Sequence, residues 1–102
     1  MEEFLKVVSA LNDETRVRLL AFIDRHERVC VCDIENSFGM IQSRVSRHLK
    51  ILKDAGFLLV EREGRWAYFS LAALDELRND MLKNIRKLDL SLPELVHNCK
   101  VS

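Results

Sequence analysis

A chain of 102 residues is the size of one domain, and its 48% apolar and 31% charged residues with a single proline exclude a disordered or collagen-like polymer. A formal net charge of zero argues against a loose nucleic-acid coat, yet the charge is segregated: residues 1–35 hold eight acids against five bases, residues 36–70 three acids against six bases. No stretch approaches the ~18 apolar residues of a membrane span, and MEEFLK lacks the apolar core of a secretory signal, so a cytoplasmic protein with no membrane partner is expected.

In chain order, EEFLKVVSAL (residues 2–11) reads as a short helix with Phe4, Val7, Val8 and Leu11 on one face. Asn12 or Asp13 can cap a second helix, which runs to about His26 with Val17, Leu19, Leu20 and Ile23 at helical spacing. A third helix covers roughly Val31–Phe38 and ends at Gly39, the residue that enters the left-handed region without penalty. After the turn Gly39-Met40-Ile41, a fourth helix spans about Gln42–Ala55, and Gly56 stops it. Two β-rich runs, FLLVER and RWAYFSL, flank Glu63-Gly64 and read as a hairpin. Leu74, Leu77, Met81, Ile85 and Leu88 mark a last long helix from Leu71 to about Leu88. Ser91-Leu92-Pro93-Glu94 has the letters of a capping box, so a short terminal helix is expected before Cys99.

The expected fold is therefore mainly α with a small β-hairpin, in the order α-α-α-α-β-β-α, a single domain over residues 1–102. A helix, a short turn, a second helix and a hairpin make the layout of a winged helix-turn-helix, whose second helix enters the DNA major groove. On a helical wheel Ile41, Val45, Leu49 and Leu52 share one arc, to be buried. Ser43, Ser46, Arg47, Lys50 and Asp54 lie opposite. Between Asn36 and Lys53 there is no acid, and there are four bases: Arg44, Arg47, Lys50 and Lys53. Serine suits either base type and arginine suits guanine, so Gln42, Ser43, Ser46 and Arg47 are the expected base readers. Arg44, His48 and Lys50 are assigned to phosphate or the helix flank, and Arg62 and Arg65, beside Gly64, to the adjacent backbone or minor groove.

The stretch Ser43–Gly56 (SRVSRHLKILKDAG) resembles the recognition helix of the ArsR/SmtB repressors. Upstream, Leu11–Leu20 (LNDETRVRLL) resembles the same family, as does the hairpin with Gly64-Arg65 and Trp66-Ala67-Tyr68-Phe69, so the resemblance covers about residues 4–88. It implies a homodimeric transcriptional repressor bound to double-stranded operator DNA and released by a metal or metalloid. Val29-Cys30-Val31-Cys32-Asp33 resembles the family's CVCD box, which implies arsenite or cadmium/lead responsiveness.

The residues themselves point the same way. Three cysteines in a reducing compartment make a disulfide framework unexpected and leave thiols available as ligands; thiolates prefer soft centres. As(III) or Sb(III) accepts three thiolates in a pyramid, whereas zinc takes four donors. Where the family often carries a third cysteine, three residues past the second, this chain has Glu35. Cys99 is the remaining thiol, from the same chain or the other subunit; an external donor or a two-thiolate site are the alternatives. Cys30, Cys32, Cys99 and His97 together make an alternative site for Cd, Pb or Zn. Buried structural thiols and a redox pair are the other readings of these cysteines. The family's second site, with carboxylates and histidine on the last long helix, has Asp75 and Asp80 here but no histidine beside them. If Cys30 and Cys32 both lie in an intact helix, they are about 200° apart. Chelation would then unwind the opening turn and disturb the reading helix.

The first helix and residues 71–89 show apolar stripes that a two-fold dimer would bury while setting two reading helices roughly 34 Å apart. No phosphate loop or metalloprotease motif supports an enzyme, and no cofactor is expected beyond the inducer.

Overall fold

The structure, a computed structural model, describes residues 1–97. Eight elements follow one another: α1 (Glu2–Leu11), α2 (Glu14–His26), β1 (Arg28–Cys30), α3 (Val31–Phe38), α4 (Gln42–Asp54), β2 (Leu58–Glu63), β3 (Trp66–Leu71) and α5 (Glu76–Arg86). Asp13 starts α2 by accepting the Arg16 backbone N–H at 3.0 Å, and Asp75 starts α5 in the same way through Arg78. Gly39 closes α3 in the left-handed conformation (φ +63°), which turns the chain sharply enough for α4 to begin three residues later.

Strand β1 was not expected. It pairs antiparallel with β3, Val29 opposite Phe69 and Cys30 opposite Tyr68, so the hairpin grows into a three-stranded sheet in the order β1-β3-β2. Alternation along the strands puts Val29, Val60, Ala67 and Phe69 on the side that meets the helices. The core lies between that side and the helices. Leu19, Leu20, Phe22 and Ile23 of α2, Ile34 of α3 and Val45, Leu49 and Leu52 of α4 are buried around Phe57, with Val7 and Ala10 closing it from α1. Among the described residues no helix is long and apolar enough to cross a membrane.

Two expectations need correction. The last long helix begins at Glu76, not Leu71: Leu71 ends β3 in register with Leu58, and a connection intervenes before the Asp75 cap. Residues 91–97 form no helix despite their capping-box letters. They run as an irregular strap instead, held by the Arg18 guanidinium donating to the Ser91 carbonyl (2.6 Å) and by the Val96 amide donating to Ser37 Oγ (2.8 Å). Along the α5 stripe Leu82 and Ile85 are buried, Leu74, Leu77 and Met81 are partly buried against the core, and Leu88 is exposed. Helix α1 likewise leaves Phe4, Leu5 and Val8 exposed.

Candidate functional site

Helix α4 presents Gln42, Ser43, Arg44, Ser46, Arg47 and Lys50 to solvent, while Val45, Leu49 and Leu52 seat it on the core. Lys50 Nζ lies 2.9 Å from Asp54 Oδ2, and the Lys50 hydrogen bond holds the Asp54 carboxyl below its ordinary range. At the hairpin tip, Arg62 and Arg65 are exposed on either side of Glu63-Gly64, with Gly64 at φ +61° making the turn. The two glutamates of the hairpin are partly neutralised from β1: Arg28 reaches Glu63 at 2.6 Å and stacks its guanidinium 3.9 Å over the Tyr68 ring. The hairpin thus keeps its basic tip while Arg28 pairs with its two exposed glutamates.

Ile41, just before α4, and His48 within it do not sit as expected. Ile41, placed on the buried arc, is 65% exposed because it precedes the helix in an extended conformation, so the wheel does not apply to it. His48, assigned to the flank or phosphate, is 6% exposed. Its Nδ1 lies 3.3 Å from the Arg16 guanidinium, which itself holds the Ala10 carbonyl at 2.8 Å. A guanidinium only donates, so Nδ1 accepts and the ring is neutral there. Burial lowers the His48 pKa below 6.5, with Arg16, Arg47 and Arg44 pushing the same way against Asp13. His48 is thus a packing residue between α2 and α4.

The thiol box lies at the junction of β1 and α3. Cys30 ends the strand and stands as the N-cap of α3 in extended conformation (φ −81°, ψ 150°); Cys32 is in the first turn. The 200° separation expected for two helical residues therefore does not hold, because only one of the pair is helical. Asp33 completes a capping box by accepting the Cys30 backbone N–H at 3.1 Å, with cysteine where serine or threonine usually stands. Its other oxygen lies 2.7 Å from His97 Nδ1, the end of the described strap. Cys30 is a buried free thiol; Cys32 is half-buried, with Asn36 Nδ2 at 3.7 Å from its sulfur, and is disulfide-bonded, where the residue pattern had made a disulfide unexpected.

Both cysteines line a cleft of roughly 370 Å³. Its second wall is the reading helix, through Gln42, Ser46, Lys50 and Lys53. Its third is the hairpin, through Val60, Arg62, Arg65, Trp66 and Phe69. Glu35 faces the same space. The expected thiols, two expected base readers and both hairpin arginines are thereby brought together. Cys99 lies outside the described residues, and among the described residues no three histidine, cysteine, aspartate or glutamate side chains cluster closely enough to hold a metal ion. Sequence reasoning missed Trp66 as a wall of the cleft and β1 as its support. The aromatic run Trp66-Ala67-Tyr68-Phe69 was the available signal for the first; three residues gave none for the second.

Residues 13–59, from the cap of α2 through α4 into β2, match the model of the bacterial regulatory protein family described as arsR. The arsenical resistance operon repressor of Bacillus subtilis is 34% identical over 82 residues, which is 80% of this chain and 76% of that protein. The arsenic resistance transcriptional regulator ArsR1 of Pseudomonas putida is 38% identical over 64% of this chain, and the cadmium resistance regulatory protein CadC homolog of Staphylococcus aureus 36% over 65%. The chain spans about half the length of these two, 51% and 54%. In three dimensions it is similar to HlyU of Vibrio cholerae (TM-score 0.74, 18% identity, 88% of this chain and 92% of that one). It is also similar to a homodimeric winged helix-turn-helix DNA-binding domain, Mb0332 of Mycobacterium bovis (TM-score 0.72, 26% identity, 83% and 78%). The fold is a winged helix-turn-helix.

Proposed function

This chain belongs to the arsR family of bacterial regulatory proteins, and on that footing we propose that it is a cytoplasmic repressor that binds operator DNA as a homodimer and is released when As(III) or Sb(III) binds Cys30 and Cys32. Gln42, Ser43, Ser46 and Arg47 read base edges; Arg44 and Lys50 contact phosphate, and Arg62 and Arg65 the neighbouring backbone or minor groove. One observation carries the reading: both cysteines line the cleft between the reading helix and the hairpin, where the reduced protein offers them to a guest as thiols. A guest held there occupies the space between two DNA-contacting elements, so DNA and guest favour different arrangements of the same walls. Release requires that the guest bind the DNA-incompetent arrangement more tightly. Reciprocity then makes DNA weaken guest binding by the same factor.

Cys99 is the proposed third thiolate. The strap reaches Asp33 at His97, two positions before Cys99, and two residues span at most about 7 Å, which favours a donor from the same chain. The second reading is a Cd, Pb or Zn sensor that adds His97 to the three thiols. It is favoured by the same anchoring of His97 at the start of α3 and by the similarity to a cadmium resistance regulator. The dimer is supported by the outward apolar face of α1 and by the homodimeric neighbour.

The test uses reduced protein on a DNA duplex selected from a random pool. Arsenite, antimonite, cadmium, lead and zinc are added separately, and release is recorded by fluorescence anisotropy. Cys30→Ser and Cys32→Ser are expected to keep DNA binding and lose release. Equal arsenite affinity for free and DNA-bound protein overturns the coupling. X-ray absorption on the releasing complex separates the two readings: three sulfur neighbours support the arsenite pyramid, four mixed donors the Cd or Zn site.

A further inference from the structure

We infer that Arg78 is a positioning residue that fixes the reading helix relative to the helices carrying the dimer, and so sets the half-site spacing the protein accepts. The inference rests on the homodimer proposed above. Arg78 is 8% exposed, and its guanidinium joins three elements. Nε donates to the Ala55 carbonyl at the end of α4 (2.7 Å); one terminal nitrogen meets Asp75, the cap of α5, at 2.6 Å; the other pairs with Glu3 of α1. Gly56 leaves room for this bridge, since a Cβ there would lie 2.7 Å from Arg78 Nε.

Helix α5 packs on α2 rather than along α4, so the Arg78 fork is a direct polar tie between the end of the reading helix and the α1/α5 side of the molecule. The Ala55 carbonyl is among the last of α4 and has no partner further along the helix. A planar, always charged fork suits such a junction because its donors hold fixed angles to one another, whereas a lysine ammonium is a single rotatable point. The Asp75 carboxyl sits below its usual range, chiefly through hydrogen bonds from the Arg78 backbone and side chain. In a two-fold dimer, any rotation of α4 about its C-terminal end is doubled in the distance between the two reading helices. Binding of both half-sites at once is lost when geometry forbids simultaneous engagement.

The test compares wild type, Arg78→Lys and Glu3→Gln on the duplex selected by wild type, on versions with the half-sites moved apart by one or two base pairs, and on a version with one half-site scrambled. Glu3 is exposed, so Glu3→Gln leaves the fold intact even where Arg78→Lys does not. Both variants are expected to remain dimeric by sedimentation. On the two-site duplex they lose about ten-fold or more in affinity, on the one-site duplex less than about three-fold, and they discriminate less between spacings. Equal losses on the one-site and two-site duplexes, or an unchanged spacing preference in dimeric variants, overturn the inference alone. A wild-type chain that sediments as a monomer overturns the dimer reading, and the inference with it.

Discussion

Replacing Asp33 with alanine tests whether the thiol box is built on a capping box. Asp33 is 3% exposed, and one of its oxygens accepts the Cys30 backbone N–H. Loss of a cap costs about 1 kcal/mol, and a buried N–H left without a partner about 1–3 kcal/mol. These overlap, so a loss of about 2 kcal/mol is expected. In a domain of this size each kcal/mol moves the melting temperature by roughly 4–8 °C, which puts the shift near 10 °C in circular dichroism melts of reduced protein. Asp33→Asn keeps an oxygen for the amide and is expected to lose less than half as much. His97→Ala leaves the amide bond untouched and is expected to move the melt little. Amide exchange read by NMR adds a local check, since the Cys30 amide is expected to lose protection in Asp33→Ala alone. A melt within about 2 °C of wild type for Asp33→Ala refutes the reasoning.

Arg47→Ala is expected to weaken binding to the selected duplex by about 1–3 kcal/mol and to relax its preference at one base position, while arsenite binding to free protein stays the same; unchanged affinity and preference remove Arg47 from the set of base readers. The folded state holds His48 below 6.5 because of burial first and the nearby arginines second, so the unfolded chain takes up the proton more readily. Its contribution to stability is complete above pH 6.5 and declines as pH falls below that value. Urea midpoints between pH 7.5 and 5 are expected to fall more steeply for wild type than for His48→Gln, and parallel profiles contradict the assignment. Glu27 caps α2 at φ +68°, a region that disfavours side chains. Glu27→Gly is expected to stabilise by about 1 kcal/mol, and a lowered melting temperature counts against strain at that position.

The helices α1 to α4 were legible because their buried residues recur at helical spacing and because Gly39 and Gly56 stand where chains leave helices. The hairpin was legible from two β-rich runs about Gly64. What the sequence hid depends on contacts between distant segments. Strand β1 is three residues long, too short for alternation to register, and exists because β3 offers it a free edge. His48 looked like part of a basic face, yet Arg16, 32 residues earlier, reaches it across α2. Ser91 to Glu94 carried the right letters for a helix start, but Arg18 binds the Ser91 carbonyl and Ser37 the Val96 amide just beyond, and the segment forms no helix. Leu71 and Leu74 fit the helical period of α5 by coincidence, since the first belongs to the sheet. At the candidate site the residue types pointed to thiol and DNA chemistry, whereas their meeting in one cleft became visible only with the strands in place.

The pairing of Cys30 with Tyr68 makes the strand bearing the first thiol a neighbour of the strand that leads into the hairpin tip. Trp66 is two residues from Tyr68 along β3, a rise of about 7 Å. Drawing the Cys30 sulfur toward Cys32 would therefore tug on the root of the wing, with the backbone ladder as the lever. On the proposed function, guest capture and wing attitude are one mechanical coordinate, and a crosslink locking β1 to β3 would leave the cysteines chemically intact while deafening the wing to them.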